Sequence, residues 1–363
     1  MQAMTTICLN MIVRNEERVI ERCLASVRPF IDSWLVIDTG STDQTRRLIR
    51  DFLSDLPGEA VKREWKDFAT NRTEAINLAA GRADYLMVID ADEVLEPAAD
   101  FRMPRFEADC YAVRHVIEGS TVSFFLPQIF RNGLPWRYEG VLHEALVCDL
   151  PYNSERLQGL STRGYFDSHR NADPKAKYLA DCELLEAVVD SEPNNARAVF
   201  YLAQSYRDAG LPIKALQAYR RRAEMGGWEE EIWYSLYQVG LLLERVGAER
   251  ADVADAYLEA WERRPQRAES LCELARYHRV NGDYHRAWMA AECAAAMPKP
   301  DEERLFLDES VYSWRILDEL SLSRFHTGRL EEAREAWKQL LLSPELPPED
   351  RKRIEDNGRW FAP

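Results

Sequence analysis

The chain has 363 residues, enough for two domains, and its hydrophobic content of 46% is that of an ordinary globular protein. The formal net charge of −15 argues against a surface built to bind nucleic acid and leaves room only for a local basic groove. Seven cysteines without a Cys-x-x-Cys pair favour free thiols over a disulfide framework or a zinc site. The first residues read as a strand rather than a signal peptide, and no apolar run approaches the roughly 18 residues that cross a bilayer. We therefore expect a cytoplasmic protein without a transmembrane segment.

Strand-like and helix-like segments alternate over the first ninety residues. Asn15 and Ser41 are in position to cap the first two helices, and Pro29 closes the first of them. The predicted segments are strand 6–13, helix 15–28, strand 34–37, helix 41–53, strand 61–65, helix 68–80 and strand 85–89. This βαβαβαβ order predicts a largely parallel, doubly wound sheet.

The pattern changes twice further along the chain. Strand-like runs at 110–116 and 123–130 precede Asn132-Gly133, a hairpin turn signal, so antiparallel strands are expected to follow the parallel ones. After residue 173 only helical patterns remain. Gly210, Gly247 and Gly282 lie 37 and 35 residues apart, close to the roughly 34-residue period of tetratricopeptide (TPR) helix pairs. The sequence thus predicts an α/β domain over 1–172 and TPR-like repeats over 173–363, with an insertion near 298–303.

The most informative segment, YLMVIDADEVL, covers residues 85–95. An apolar strand runs into Asp90 and Asp92, and side chains two apart on an extended chain point the same way. Both carboxylates are therefore expected at the carboxyl end of a strand, where open α/β sheets bind ligands. Such a pair favours a hard divalent cation with its bound phosphates. The alternative is a solvated acidic turn.

The segment VIDTGSTDQT, residues 36–45, places a second acid at the same predicted edge. Asp38 ends a strand, and Gly40 permits a tight turn before the next helix. Taken alone, this is more typical of an ordinary strand–loop–helix connection in which an Asp and a Ser serve as caps. Because parallel strands end at one edge of their sheet, Asp38 is expected on the same side as Asp90 and Asp92.

Four segments in this order resemble the family 2 glycosyltransferases, over roughly the first 170 residues. The segments are NMIVRNEE, VIDTGSTDQT, DFATNRTEAINLAAG and YLMVIDADE. The resemblance implies the GT-A fold and a nucleotide-sugar donor, most often a UDP-sugar. More narrowly, the chain is similar to the subgroup with a carboxyl-terminal TPR extension, which includes peptide S-glycosyltransferases of the sublancin type.

The resemblance also implies roles for individual residues. Asp38 matches the acid that binds the donor base, and the backbone around Val13 would flank base and ribose. Arg72 matches an arginine near the nucleotide phosphates. Asp90 would meet the ribose or the metal, and Asp92 would bind Mn²⁺ or Mg²⁺ and so take part in catalysis.

The remaining roles fall in less regular parts of the chain. After Arg72 the family usually has Asn, where this chain has Thr73. His169 matches a histidine that lies near the metal in related enzymes, although a solvated loop histidine is an equal alternative.

An inverting transferase needs a base opposite the leaving group. Glu144, in a His143-Glu144 pair, is the first candidate, with Glu139 and Asp149 as rivals.

The resemblance, together with the acidic residues at the predicted sheet edge, leads us to expect a metal-dependent glycosyltransferase, and the resemblance alone implies that it is inverting and uses a UDP-sugar. Its acceptor would be a peptide, a protein or a glycan, with the repeats holding it; a modified base in phage DNA fits the acidic composition less well. A non-catalytic TPR scaffold with a vestigial first domain is one alternative. A nucleotidyltransferase is another, but residues 14–17 (RNEE) stand where such enzymes carry a glycine-rich loop. The basic run Arg220–Arg222 is expected to be a solvated helix face.

Overall fold

The computed structural model describes residues 5–167 and 173–361. These fall into two compact units, Met1–Pro193 and Asn194–Pro363. The helix Pro174–Ser191 is grouped with the first unit, whereas the sequence predicted a boundary at 172/173.

The first unit alternates strands with helices as far as its fourth strand and then continues mainly with strands. Its helices are α1 (Ile20–Val27), α2 (Thr45–Phe52), α3 (Phe68–Leu78) and α4 (Pro174–Ser191). Its strands are β1 (Ile7–Val13), β2 (Ser33–Asp38), β3 (Gly58–Lys62), β4 (Tyr85–Val88), β5 (Glu93–Pro97), β6 (Cys110–Ile117), β7 (Val122–Arg131), β8 (Trp136–Glu139), β9 (Ala145–Cys148) and β10 (Ser154–Gly164). The predicted segments of the first ninety residues all appear.

Eight of these strands lie side by side in the order β3-β2-β1-β4-β7-β6-β10-β5, and β8 pairs with β9 separately. The pairs β1–β2, β2–β3 and β1–β4 are parallel, while β7 runs antiparallel to both β4 and β6. The chain winds outward from β1 to β3 and resumes at β4 on the other side of β1. This reversal confirms the doubly wound prediction and opens a crevice at the carboxyl ends of β1 and β4.

Both faces of the parallel strands are covered. Leu9 and Met11 of β1 belong to one hydrophobic core together with Ile20 of α1. Cys8, whose side chain alternates with theirs, belongs to a second core with Ile76 of α3. Since both faces are buried, β1 is apolar almost throughout and does not alternate with polar residues, as expected of a central parallel strand.

Asn15 and Ser41 do not cap the helices that follow them. Helix α1 begins only at Ile20, and Asn15 adopts a left-handed backbone conformation (φ 57°). Its N–H donates to Ser41 Oγ at 2.9 Å, and its Oδ1 accepts from the Thr42 N–H at 2.9 Å. The two polar residues therefore fasten the loop after β1 to the loop after β2, because the pairing of β1 with β2 brings those loops to one edge.

The Asn132-Gly133 turn does not join two paired strands. β7 before it pairs with β4 and β6, while β8 after it pairs with β9. The Asn132 side-chain amide instead donates to the carbonyls of Ala79 and Ala83, both at 2.9 Å. These two bonds outweigh the local preference for a hairpin, so the prediction was right about the turn and wrong about what it connects.

The second unit consists mainly of antiparallel helix pairs. Its helices are α5 (Ala196–Asp208), α6 (Pro212–Glu224), α7 (Glu229–Arg245), α8 (Arg250–Arg263), α9 (Glu269–Val280), α10 (Tyr284–Ala295), α11 (Ile316–His326), α12 (Leu330–Leu341) and α13 (Pro348–Asp356), with a short strand β11 (Leu307–Asp308). Gly210, Gly247, Gly282 and Gly328 turn the chain within successive pairs, each at a φ between 70° and 81°. The predicted repeats and the long connection before α11 are confirmed.

The expectation of a solvated arginine run at the end of α6 was wrong for one member. The Arg222 side chain is 1% exposed and donates to Glu231 at 2.9 Å and to the Gly226 carbonyl at 2.8 Å. Among the helices in the described ranges, none combines the length and apolarity needed to cross a bilayer.

Candidate functional site

Asp38 lies at the carboxyl end of β2, beside Val13 of β1 in the parallel register. Its side chain is fully buried. Oδ1 accepts the Ser41 N–H at 3.0 Å, while Oδ2 has no hydrogen-bond partner in the described part of the chain and lies 3.7 Å from Arg46 Nε. The predicted base-binding acid thus keeps one unsatisfied oxygen, and a ligand reaches it only if the neighbouring side chains move.

The residues after β4 form a tight turn rather than the extended continuation that the sequence predicted. The Glu93 N–H donates to the Asp90 carbonyl at 3.1 Å, and the Asp90 N–H donates to Glu93 Oε2 at 3.0 Å. Burial, reinforced by the charges of Glu93, Asp90 and Asp92, raises the pKa of the Cys23 thiol well above its ordinary value. The turn therefore still concentrates three carboxylates at one point beside α1.

Arg72 of α3 brings two of the predicted site residues together. Its Nη2 lies 2.5 Å from Asp90 Oδ1, and its Nε lies 2.5 Å from Glu144 Oε1. The side chains of Arg72 and Glu144 are each 11% exposed, whereas that of Asp90 is 47% exposed. Burial opposes the guanidinium charge, but the two carboxylates outweigh it and hold the pKa of Arg72 above its ordinary value.

Tyr138 of β8 lies next to Arg72, and no pattern in the sequence pointed to it. The Arg72 guanidinium lies 5.6 Å from the centre of its ring. The Tyr138 N–H donates to Thr73 Oγ1 at 2.9 Å, so the residue that departs from the family pattern ties α3 to β8. Burial raises the pKa of the Tyr138 phenol, which therefore stays protonated at neutral pH. Ile12, next to Val13, lines one small crevice with Arg72 and Tyr138.

The two other candidates for the catalytic base do not share the buried position of Glu144. Glu139 and Asp149 both pair with Arg137 on the β8–β9 hairpin, with side chains 55% and 65% exposed. His143 occupies an exposed position in the turn of that hairpin at a φ of 51°. His169, the predicted third metal ligand, lies outside the described residues.

Two further groups flank the Asp90–Glu93 turn, and nothing in the sequence pattern pointed to them. The Tyr165 N–H donates to the Asp92 carbonyl at 3.2 Å, and Arg22 stacks over the Tyr165 ring at 4.1 Å. On the other side, Glu93 Oε1 lies 3.5 Å from Nδ1 of the buried His115.

Metal-ligating side chains are few at this edge. Across residues 5–167 and 173–361, no three His, Cys, Asp or Glu side chains are arranged to hold a metal ion. Asp90 and Asp92 offer two carboxylates. Mg²⁺ is commonly bound by one or two carboxylates with phosphate and water completing its shell, so this donor set fits a cation that binds together with a phosphorylated ligand.

Comparison with known proteins finds a family that part of the first unit resembles. The sequence model of Glycosyl transferase family 2 matches residues 8–128. A TPR repeat-containing protein of Synechococcus elongatus is 34% identical over 154 residues, which are 40% of this chain and 36% of that protein. The SPbeta prophage-derived glycosyltransferase SunS of Bacillus subtilis is 28% identical over 213 residues, 55% of this chain and 49% of SunS.

The aligned regions thus span half or less of the length of these two relatives. The crystal structure of MamA aligns with 49% of this chain and 92% of its own, at 20% identity and a TM-score of 0.38. Residues 8–128 are thus similar to Glycosyl transferase family 2, and the second unit is made mainly of TPR-like helix pairs.

Proposed function

We propose that this chain is a metal-dependent, inverting glycosyltransferase that moves a sugar from a nucleotide-sugar, most directly a UDP-sugar, to a peptide, protein or glycan. The observation that carries the proposal is the double ion pair of Arg72 with Asp90 and Glu144, at the edge where Asp38 also ends its strand. The family match and the likeness to SunS support the same reaction class.

The charges of the site favour a cation accompanied by a diphosphate. The Arg72 guanidinium pairs with the carboxylates of Asp90 and Glu144, which leaves one negative charge in excess, and the turn after β4 adds the carboxylates of Asp92 and Glu93. Such a site repels a nucleoside diphosphate unless a divalent ion binds as well. When bound by Asp90 and Asp92, Mn²⁺ or Mg²⁺ would supply Lewis-acid neutralisation of the leaving diphosphate.

The protein side chains would divide the remaining work. Asp38 Oδ2, which lacks a hydrogen-bond partner among the described residues, would accept a donor N–H of the base once the side chains around it, Arg46 included, move aside. Arg72 would hold a phosphate oxygen, and the backbone at Val13 would flank the ribose. Glu144 would take the proton of the acceptor hydroxyl or thiol as that atom attacks the anomeric carbon. A single displacement of this kind inverts the configuration of the sugar.

Calorimetric titration of UDP, with and without Mn²⁺, tests the donor site. The wild type is expected to bind UDP at least tenfold more tightly with Mn²⁺, and Asp92→Asn is expected to abolish that gain. Asp100→Asn, an exposed acid outside the site, serves as the control. An affinity for UDP that changes neither with Mn²⁺ nor with Asp92→Asn would contradict the proposal. Absence of any UDP binding would favour a non-catalytic TPR scaffold.

A second measurement tests the chemical step. Incubation with a panel of nucleotide-sugars and Mn²⁺ should release free UDP slowly from the correct donor. Glu144→Gln keeps an oxygen for Arg72 and is therefore expected to retain UDP binding while losing sugar transfer by about 10²–10⁴-fold. Full activity in Glu144→Gln would exclude this residue as the base.

A further inference from the structure

The chain leaves β10 through a residue with an unfavourable backbone conformation. Phe166 has a φ of 51°, which places it in the left-handed region. A positive φ is uncommon for any residue with a side chain and is an outlier for a bulky one. Such conformations cost free energy and persist only where the surrounding structure fixes them. The residues on both sides of Phe166 supply the contacts that do so.

Tyr165, just before Phe166, is anchored at two points. Its N–H donates to the Asp92 carbonyl at 3.2 Å, which ties the chain to the turn after β4. Its ring lies under the Arg22 guanidinium of α1, 4.1 Å from the ring centre. The backbone that leads into Phe166 is therefore fixed beside one of the two acids proposed to hold the metal.

Asp167, just after Phe166, is anchored to the same arginine. Arg22 Nη1 donates to Asp167 Oδ2 at 2.9 Å, and Nη2 donates to Oδ1 at 2.8 Å. The hydrogen bonding with Asp167, together with the charges of Asp167, Tyr165 and Asp92, raises the pKa of Arg22 against the effect of burial. A bidentate pair fixes geometry as well as adding energy, so one arginine beside Asp92 holds both neighbours of Phe166.

The strained backbone leaves the Phe166 ring largely in solvent. Phe166 is 51% exposed, and Lys177 Nζ of α4 lies 5.9 Å from its ring centre. Four non-glycine residues have a positive φ in the described ranges, and three of them, Asn15, His143 and Phe166, lie in loops at the candidate site. Strain that gathers at a site and turns an apolar ring outward is typical of ligand binding rather than of packing.

We propose that Phe166 is the platform on which the sugar of the nucleotide-sugar donor stacks. The inference rests on the proposed function, because it needs a diphosphate bound through Asp90 and Asp92. The sugar is attached to the outer phosphate and must lie near the turn that binds the metal. The Phe166 ring belongs to the residue after the one whose N–H is bonded to Asp92. One face of a pyranose presents C–H groups, which pack on an aromatic ring while the hydroxyl groups stay free for polar contacts.

Calorimetric titration in the presence of Mn²⁺ separates the sugar from the nucleotide. The probes are UDP, UDP-glucose, UDP-galactose and UDP-N-acetylglucosamine. Phe166→Ala should lower the affinity for the UDP-sugar that the wild type binds best by about two- to tenfold, the effect of losing one well-packed ring contact, and should leave the affinity for UDP unchanged. Phe166→Tyr keeps the ring and should behave as the wild type. Leu150→Ala, at a position that is also 51% exposed, is the control.

The outcomes distinguish this inference from the proposed function. If the wild type binds UDP but Phe166→Ala weakens UDP and UDP-sugars equally, or weakens neither, only the platform is refuted. If the wild type binds no UDP with Mn²⁺, the proposed function fails and the platform with it.

Thermal melting without nucleotide or metal gives an independent answer. A ring kept for a ligand contributes little to the fold, so Phe166→Ala should melt close to the wild type. Phe166→Gly should melt above Phe166→Ala, because glycine adopts a positive φ without strain. If both variants melt well below the wild type or fail to fold, the ring is a packing element and the proposal is overturned.

Discussion

Replacing Arg72 with methionine should destabilise the first unit much more than the loss of one surface ion pair. Methionine fills similar space but leaves the Glu144 carboxylate, which is 11% exposed, without its cation. Removing one partner of a buried ion pair costs about 3–5 kcal/mol, whereas exposed pairs contribute about 0–1 kcal/mol. Asp90 is half exposed and adds little, so we expect Arg72→Met to lower the free energy of unfolding by about 3 kcal/mol.

Scanning calorimetry measures this effect. For a unit of this size, each kcal/mol corresponds to about 2–4 °C, so the transition of the first unit should fall by roughly 6–12 °C. Adding Glu144→Gln to Arg72→Met removes the uncompensated charge and should recover part of the loss. The double-mutant cycle then isolates the Arg72–Glu144 pair.

Arg137→Met is the matched control, since Arg137 also joins two carboxylates, those of Glu139 and Asp149. The side chains of Arg137 and its two partners are all exposed, between 38% and 65%, so the free energy of unfolding should change by no more than about 1 kcal/mol. Equal effects of Arg72→Met and Arg137→Met would refute the reasoning. A lack of recovery in the double variant would refute the specific role of Glu144.

Two further substitutions test the packing and the electrostatics of the units. Gly58→Ala should lower the free energy of unfolding in urea by about 1–3 kcal/mol, because the added Cβ would overlap the ring and carbonyl of Trp34. Gly164→Ala is the control, since open space surrounds that position, and should change stability little. Equal losses in the two variants would contradict this packing. Burial raises the pKa of Glu230 above its ordinary 4.5, so the folded chain holds a proton that the unfolded chain releases, and stability falls as pH rises from 4.5. Glu230→Gln should remove that part of the slope, and an unchanged slope in urea titrations from pH 4.5 upward would disprove it.

The sequence predicted the order and type of the elements well because these depend on local patterns. Parallel strands buried on both faces, such as β1 and β4, are continuous apolar runs, and the repeat period was visible in the spacing of Gly210, Gly247 and Gly282. The predicted capping roles of Asn15 and Ser41 were wrong because the partners of these residues are distant in sequence. Their side chains have a local use and a long-range one, and the pairing of β1 with β2 brought the long-range partner within reach.

The same division holds within the candidate site. The resemblance pointed to Arg72 and Glu144 separately, but their ion pair depends on how the β8–β9 hairpin packs against α3, which no pattern in either segment reveals. Arg222 shows the limit most simply. It directly follows Arg221 in the same basic run, and only its position on α6 relative to Glu231 buries it.

The exposure of the two carboxylates on Arg72 implies an order for the proposed reaction. Asp90 is 47% exposed, so it can exchange the guanidinium for a cation and water at low cost, which would free Arg72 to meet a phosphate oxygen. Glu144, at 11% exposure, would become an unpaired buried charge if it left Arg72 before an acceptor proton was available. Binding of donor and metal through Asp90 should therefore precede release of Glu144. The carboxylate proposed as the base would then stay paired with Arg72 until the acceptor hydroxyl or thiol arrives, which limits transfer of the sugar to water.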